Sequence, residues 1–428
     1  MTRKTRRILF LVCCSLFLLT APTVVLYFQG YRVDLNKRRL TQTGGLFIKA
    51  IPKQVEVYLD GKLIKKTDFL FGSALIENLL PRKYEILLQK RGYFPWKKNL
   101  EIKEKEVTEA RNVVLFPENL SFEHLTKEVE DFWFSPDGKK IILKEKSEEG
   151  WLLKLYEIDK RLKIHLIKEK DITKKGANLI KLEFEENNKE IVLQIGVGEE
   201  IKYFSLSLVK SPSSLVEIEK LNTLPENVLI SKKIGDDLYH LDRSGYLYKN
   251  EERINDQSFP LQNEEKYSLE IFPNHIFLKE GNTFYLLNRE TKSFEKFFKN
   301  EKGIKLSPDG KKLAFFSNFE IWVLFLEERL SQPRKKVGEK NLIGRLSQEL
   351  GDVFWLNSDY LIFNTDNIFR VAEIDDRDQI YILELPLKKI LADNLVELKN
   401  PKIFWNFFDK KLYVLSEGNV YTIVGILP

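Results

Sequence analysis

The sequence is poor in the residues that build covalent and metal-held scaffolds. Cysteine occurs only twice in 428 residues, at Cys13 and Cys14, adjacent and inside an apolar N-terminal segment. A disulfide framework for the remainder is excluded, and the pair reads as two small apolar side chains of a helix rather than a lipidated or cross-linking site. Phe10-Leu11-Val12 ahead of them lacks the small residues of a lipoprotein processing site. The four histidines, His124, His165, His240 and His275, have no paired spacing, and with no cysteine near them they outline no zinc site. Also missing are a Gly-x-Ser-x-Gly elbow and a Walker-type phosphate loop, and Gly196-x-Gly198 stops short of a third glycine. No catalytic residue, metal or cofactor site is therefore expected, and the chain is expected not to be an enzyme.

A basic surface is lacking too, although the formal charge is +6. Arg3, Lys4, Arg6, Arg7, Arg32, Lys37, Arg38 and Arg39 face only Asp34 within residues 1–40, which leaves everything after residue 40 one unit negative. Nucleic-acid binding draws its affinity from cations on the folded part, so no nucleic-acid partner is expected. What the chain does have is strand-favouring side chains, with 43% hydrophobic and 12% aromatic residues, which predicts a mostly β protein.

From Ile8 to Phe28 run 21 residues without a charge, which at ~1.5 Å per residue spans a ~30 Å hydrocarbon layer. Four cations precede the run, which predicts a cytoplasmic N-terminus and export of everything after about residue 40. Tyr27 and Tyr31 sit where an interfacial aromatic belt would. A cleaved signal peptide is the competing reading, with a cut near Thr20-Ala21; Pro22 and the continuing apolar run favour an uncleaved anchor.

Past Gly44-Gly45 the pattern becomes one of short alternating runs: Leu46–Ala50, Val55–Leu59, Tyr84–Leu88 and Asn99–Ile102 read as strands, and Asp60-Gly61 as a hairpin turn. Pro52, Val55-x-Val57-Tyr58-x-Asp60-Gly61, Thr67, Leu80-Pro81, Tyr84 and Gly92-Tyr93 together resemble the PEGA domain, a small β-sandwich of bacterial surface proteins, over residues 44–117. The sequence departs from that pattern at Thr67-Asp68 and Pro81-Arg82, and Phe69–Asn78 is longer than usual. The resemblance implies a non-catalytic envelope module without a specified ligand. In Gly92–Trp96, Tyr93 and Trp96 are either stacking residues for a sugar or peptide or plugs of the sandwich core.

Phe134-Ser135-Pro136-Asp137-Gly138-Lys139-Lys140-Ile141 recurs as Leu306-Ser307-Pro308-Asp309-Gly310-Lys311-Lys312-Leu313, with the central six residues identical. Proline fixes φ, serine and aspartate bond local backbone, and glycine takes positive φ, so each copy predicts a tight turn between strands. Looser copies run from Phe184 through Glu186-Asn187-Asn188 to Ile191, from Trp355 through Asn357-Ser358-Asp359 to Leu361, and from Trp405 through Asp409 to Leu412; further strand–turn–strand units lie at Asp237–Tyr248 and His275–Leu287. A spacing of 40–50 residues is that of propeller blades. The repeats resemble the WD-like blades of TolB-type propellers across residues 120–428, and about seven units are expected.

Taken together, residues 1–40 would form a tail, an anchor through the bilayer at 8–28 and a linker, followed by a sandwich at 44–117 and a propeller at 120–428. The expected function is binding of an envelope protein or cell-wall polymer. The alternatives are a glycan-cleaving propeller, which would need two close carboxylates, and a structural spacer.

Overall fold

The computed structural model describes the chain except residues 1–2, 35–37, 149, 174–175, 186, 210–213, 219–224, 226, 264, 273, 300, 386–388, 392–393 and 397. Of the residues singled out above, Lys37 and Glu186 lie outside the described set. A helix over Arg3–Phe28 comes first. It is long and apolar enough to cross a membrane, and none of its residues is buried against the rest of the protein. A hairpin, Tyr31–Asp34 with Arg39–Gln42, follows, and Thr43 bonds back to the Gly30 carbonyl.

The sandwich has two sheets. In one, Gly44–Ile51 lies between Ser73–Leu79, which is antiparallel to it, and Val107–Val114, which is parallel. In the other, the order is Lys62–Lys66, Glu56–Leu59, Lys83–Gln89, Trp96–Glu101. Alternate side chains, among them Leu46, Ile48, Val57, Ile86, Leu88 and Leu100, meet in the core between them, as a period of two requires. Asp60 and Gly61 both have positive φ, +47° and +76°, as a primed hairpin turn demands. Three strands escaped the sequence reading: Lys62–Lys66, Ser73–Leu79 and Val107–Val114.

The rest is a seven-bladed propeller. Among the described residues, six consecutive four-stranded antiparallel sheets run from Val129 to Leu385. The seventh is built from Lys402–Asn406, Lys411–Ser416 and Asn419–Val424, with Ser121–Thr126, from the start of the propeller, as its outermost strand. The ring is thus closed by pairing its two chain ends. A short hairpin, Lys389–Leu391 with Asn394–Val396, sits between blades 6 and 7.

The second strands of blades 5, 6 and 7 are buried on both faces, which explains why they read as largely apolar runs. In Lys312–Phe316, Leu313 and Phe315 pack towards blade 4 while Ala314 and Phe316 pack towards blade 6. In Tyr360–Thr365, Leu361 and Phe363 face blade 5 and Ile362 faces blade 7. The Phe134 and Phe404 rings stack at 4.0 Å where blades 1 and 7 meet.

Both Ser-Pro-Asp-Gly turns join the first and second strands of their blades, 1 and 5, and share a core set of bonds. Gly138 N–H donates to the Ser135 carbonyl and Gly310 N–H to that of Ser307, at 2.9 and 2.8 Å. Asp137 and Asp309 each accept from the serine hydroxyl and from the following lysine amide, and both glycines have φ of +70°. Pro136 and Pro308 lead into the two turns. The looser copies at Phe184, Trp355 and Trp405 occupy the same position in blades 2, 6 and 7. By contrast, the units at Asp237–Tyr248 and His275–Leu287 are second-to-third-strand hairpins of blades 3 and 4. Their first turns are too short to carry the motif, as between Ile234 and Asp237.

Candidate functional site

Antiparallel strands put the first and third connections of every blade on one face of the ring. The sandwich sits on that face, against blades 5 to 7. Trp96, Lys98 and Leu100 share one side of their strand, and Lys98 is fully buried with them. A buried ammonium needs charged partners. Its Nζ donates to Glu373 Oε1 at 3.1 Å and to the Asp375 carbonyl at 2.6 Å, while the Trp96 indole N–H donates to Glu373 Oε2 at 2.6 Å. Burial pushes the Glu373 carboxyl above its ordinary value even with Lys98 beside it. Burial pushes Asp375 the same way, but the Arg377 guanidinium and Lys98 outweigh it and hold that group low.

Further bonds extend the seam. Asp378 accepts from the backbone and side chain of Asn99. Gln332 bonds the Glu109 amide and the Val107 carbonyl at 3.0 Å each, completing the free edge of Val107–Val114 as another strand would. The Tyr360 hydroxyl oxygen accepts the Val114 N–H at 3.1 Å.

The aromatic cluster Tyr93–Trp96 is therefore divided. Trp96 has no exposed surface and plugs the core, so the stacking role is not open to it. Tyr93 is half-buried against the same core, with the Lys90 ammonium over its ring. Phe94 joins Phe116, Leu356 and Tyr360 on the propeller side. Lys98, Glu373 and Asp375 do not stand out in the sequence, because charged residues ordinarily signal solvent; the available clue is that Lys98 shares the alternation of Trp96 and Leu100.

Beside the seam opens a cleft of about 800 Å³ between the sandwich edge and the loops of blades 5 and 6. Lys83, Lys103 and Arg334 reach it, as do Glu101 and Glu106, around the apolar Leu330 and Pro333. Leu330 is among the most exposed apolar side chains of the propeller.

At the ring centre, two acids on innermost strands are matched by cations of the preceding blade. Lys402 of blade 7 pairs with Asp131 of blade 1, and Lys232 of blade 3 with Glu270 of blade 4 at 2.7 Å. Burial pushes the Lys305 ammonium down, against the opposing pull of Asp352 and Glu270. Among the described residues no group of three or more His, Cys, Asp or Glu could hold a metal ion.

No family model matches the chain, and no curated protein does. Solved structures resembling it include YCF48 from Cyanidioschyzon merolae, 11% identical with a TM-score of 0.41, covering 71% of this chain and 98% of its own. Another is an auxiliary nutrient binding protein from Bacteroides thetaiotaomicron VPI-5482, 7% identical with a TM-score of 0.34, covering 86% and 90%.

Proposed function

We propose that the chain is a single-pass envelope protein, anchored by Arg3–Phe28 with its N-terminus in the cytoplasm, whose sandwich and propeller form one extracytoplasmic head that binds a protein or cell-wall polymer without catalysis. The observation that carries this reading is the cleft beside the buried Lys98–Glu373 seam. The seam fixes two modules against each other, and a fixed cleft loses little entropy on binding. Support for the anchor comes from the apolar helix, none of whose residues is buried, and the four cations before it. The PEGA-like and TolB-like sequence patterns favour the envelope. The cation-matched carboxylates at the ring centre favour binding over glycan cleavage, which needs a free acid pair.

Two measurements on the full-length protein test the reading. Protease added to cells with a permeabilised wall is expected to digest residues beyond about 40; full protection until the membrane is lysed would put the head in the cytoplasm and refute the envelope assignment. A photo-crosslinker at Leu330 is expected to form one dominant adduct, with a protein or with wall polymer, that disappears in Lys103→Glu/Arg334→Glu. No adduct, or one unaffected by the charge reversal, would remove the cleft as the binding site.

A further inference from the structure

The sandwich carries a second surface, at the edge away from the propeller. Lys62–Lys66 is the outermost strand of its sheet, paired only to Glu56–Leu59, and all five of its side chains are exposed. The chain then turns through Phe69-Leu70-Phe71, whose side chains are 67%, 58% and 70% exposed. Three large apolar groups in succession on a solvent-facing turn are costly, yet this turn is firmly built. Asp68 accepts from the amides of Leu70, Phe71 and Ser73 and from the Ser73 hydroxyl, at 2.5–2.9 Å. Gly72, at φ +67°, sits so close to the strand Gly44–Ile51 that a Cβ there would lie 2.5 Å from the Ala50 carbonyl. The loop is thus held in place while its apolar side chains contribute nothing to the core.

We infer that this edge binds an extended acidic segment of another protein, which pairs with Lys62–Lys66 as an added strand and covers Phe69, Leu70 and Phe71 with its apolar side chains. Charge decides the partner. Lys66 is matched by Glu56 at 2.9 Å and Asp68 is engaged within its turn, whereas among the described residues no acid pairs with Lys62, and Lys65 reaches the Leu75 carbonyl. Lysines on an open edge repel a second copy of the same edge, and an acidic strand is what they complement. Main-chain bonds would give affinity and alternate side chains specificity. The membrane is a poorer occupant. The helix joins the sandwich where Arg32 bonds Asn78, and the apolar turn lies beyond the other end of Ser73–Leu79, roughly 20 Å along a strand of that length.

The inference rests on the reading of the chain as a binding protein, but its test is independent of topology. Full-length protein in phosphatidylcholine nanodiscs is titrated with fluorescent twelve-residue peptides: alternating Glu and Val, alternating Lys and Val, and the Glu peptide with a central proline. Only the Glu peptide is expected to bind saturably, at least tenfold more tightly than the other two. Phe69→Ser/Phe71→Ser should weaken it at least tenfold without lowering Tm, and Lys62→Glu/Lys65→Glu should transfer binding to the Lys peptide. Absence of binding, equal binding of the Glu and Lys peptides, or indifference to Phe69→Ser/Phe71→Ser would overturn the inference. So would pelleting with phosphatidylglycerol vesicles, or self-association, that those serine substitutions abolish.

Discussion

Blades 1 and 5 contain the same six residues in the same turn, yet the two turns differ in what surrounds them. Around Gly310 a Cβ would meet no atom within 4 Å, whereas at Gly138 it would collide with the side-chain oxygen of Asn406 from blade 7 and come within 3.1 Å of Phe408. Asn406 is buried and donates to the Gly138 carbonyl at 2.9 Å. Lys140 and Lys312 diverge as well: the first reaches the Asn188 carbonyl of blade 2, while the second turns back to Asp309. Local sequence thus fixes the shape of the turn, and position in the ring decides whether that turn also serves as a joint. The copy in blade 1 ties its blade to both neighbours; the copy in blade 5 supports only itself.

The largest difference should come from valine at the two glycines. Gly310→Val is expected to cost about 1–2 kcal/mol, the strain of a side chain at positive φ. Gly138→Val adds overpacking against Asn406, for a total of about 3 kcal/mol or more. Urea midpoints of the two variants measure the gap, and equal losses would show that the Asn406 contact carries no weight. Next in size is Asn406→Ala, which removes the donor to Gly138 and should cost about 1–3 kcal/mol. Combined with Gly138→Val, it should recover part of the overpacking term, and simple additivity would break the proposed coupling.

Ser135→Ala and Ser307→Ala should each cost about 1 kcal/mol and nearly match one another, since each hydroxyl donates to its aspartate and accepts from the amide of the lysine five residues after the serine. The smallest effect is on pH dependence. Burial pushes Asp137 and Asp309 upward, but Ser135 and the Lys139 amide outweigh it at the first, and Lys312 and Ser307 at the second, so both are held low. A depressed carboxylate contributes stability that is present above its unfolded value, ~3.9, and is lost as pH falls through the folded one. Asp309→Asn should therefore flatten stability against pH on the acid side of that value, and more so than Asp137→Asn, because Asp309 also loses its lysine. Identical acid profiles for both variants would contradict the role given to Lys312.

The same contrast explains what could be read from the sequence. Ser-Pro-Asp-Gly is legible because its bonds span five residues, and from it follow the blades and their approximate number. Asn406 was not legible, as its partner lies 268 positions away, nor was the assignment of Ser121–Thr126 to the last blade. The strand Lys62–Lys66 was overlooked because full exposure erases the alternation by which strands are recognised. Trp96 was visible as an aromatic, but whether it faced a ligand or the core depended on Glu373, which belongs to blade 6.

The closing strand also imposes an order of assembly. Ser121–Thr126 leaves the ribosome early, and its strand partner, Asn419–Val424, emerges about 300 residues later, which at typical rates of synthesis is about 15–60 s. Throughout that interval the sandwich has all of its own strands, while the ring has a bare edge at its start and no means of shutting. Each nascent molecule must shield that edge from its neighbours until the final strand arrives, and truncation of the last few residues would leave it open permanently.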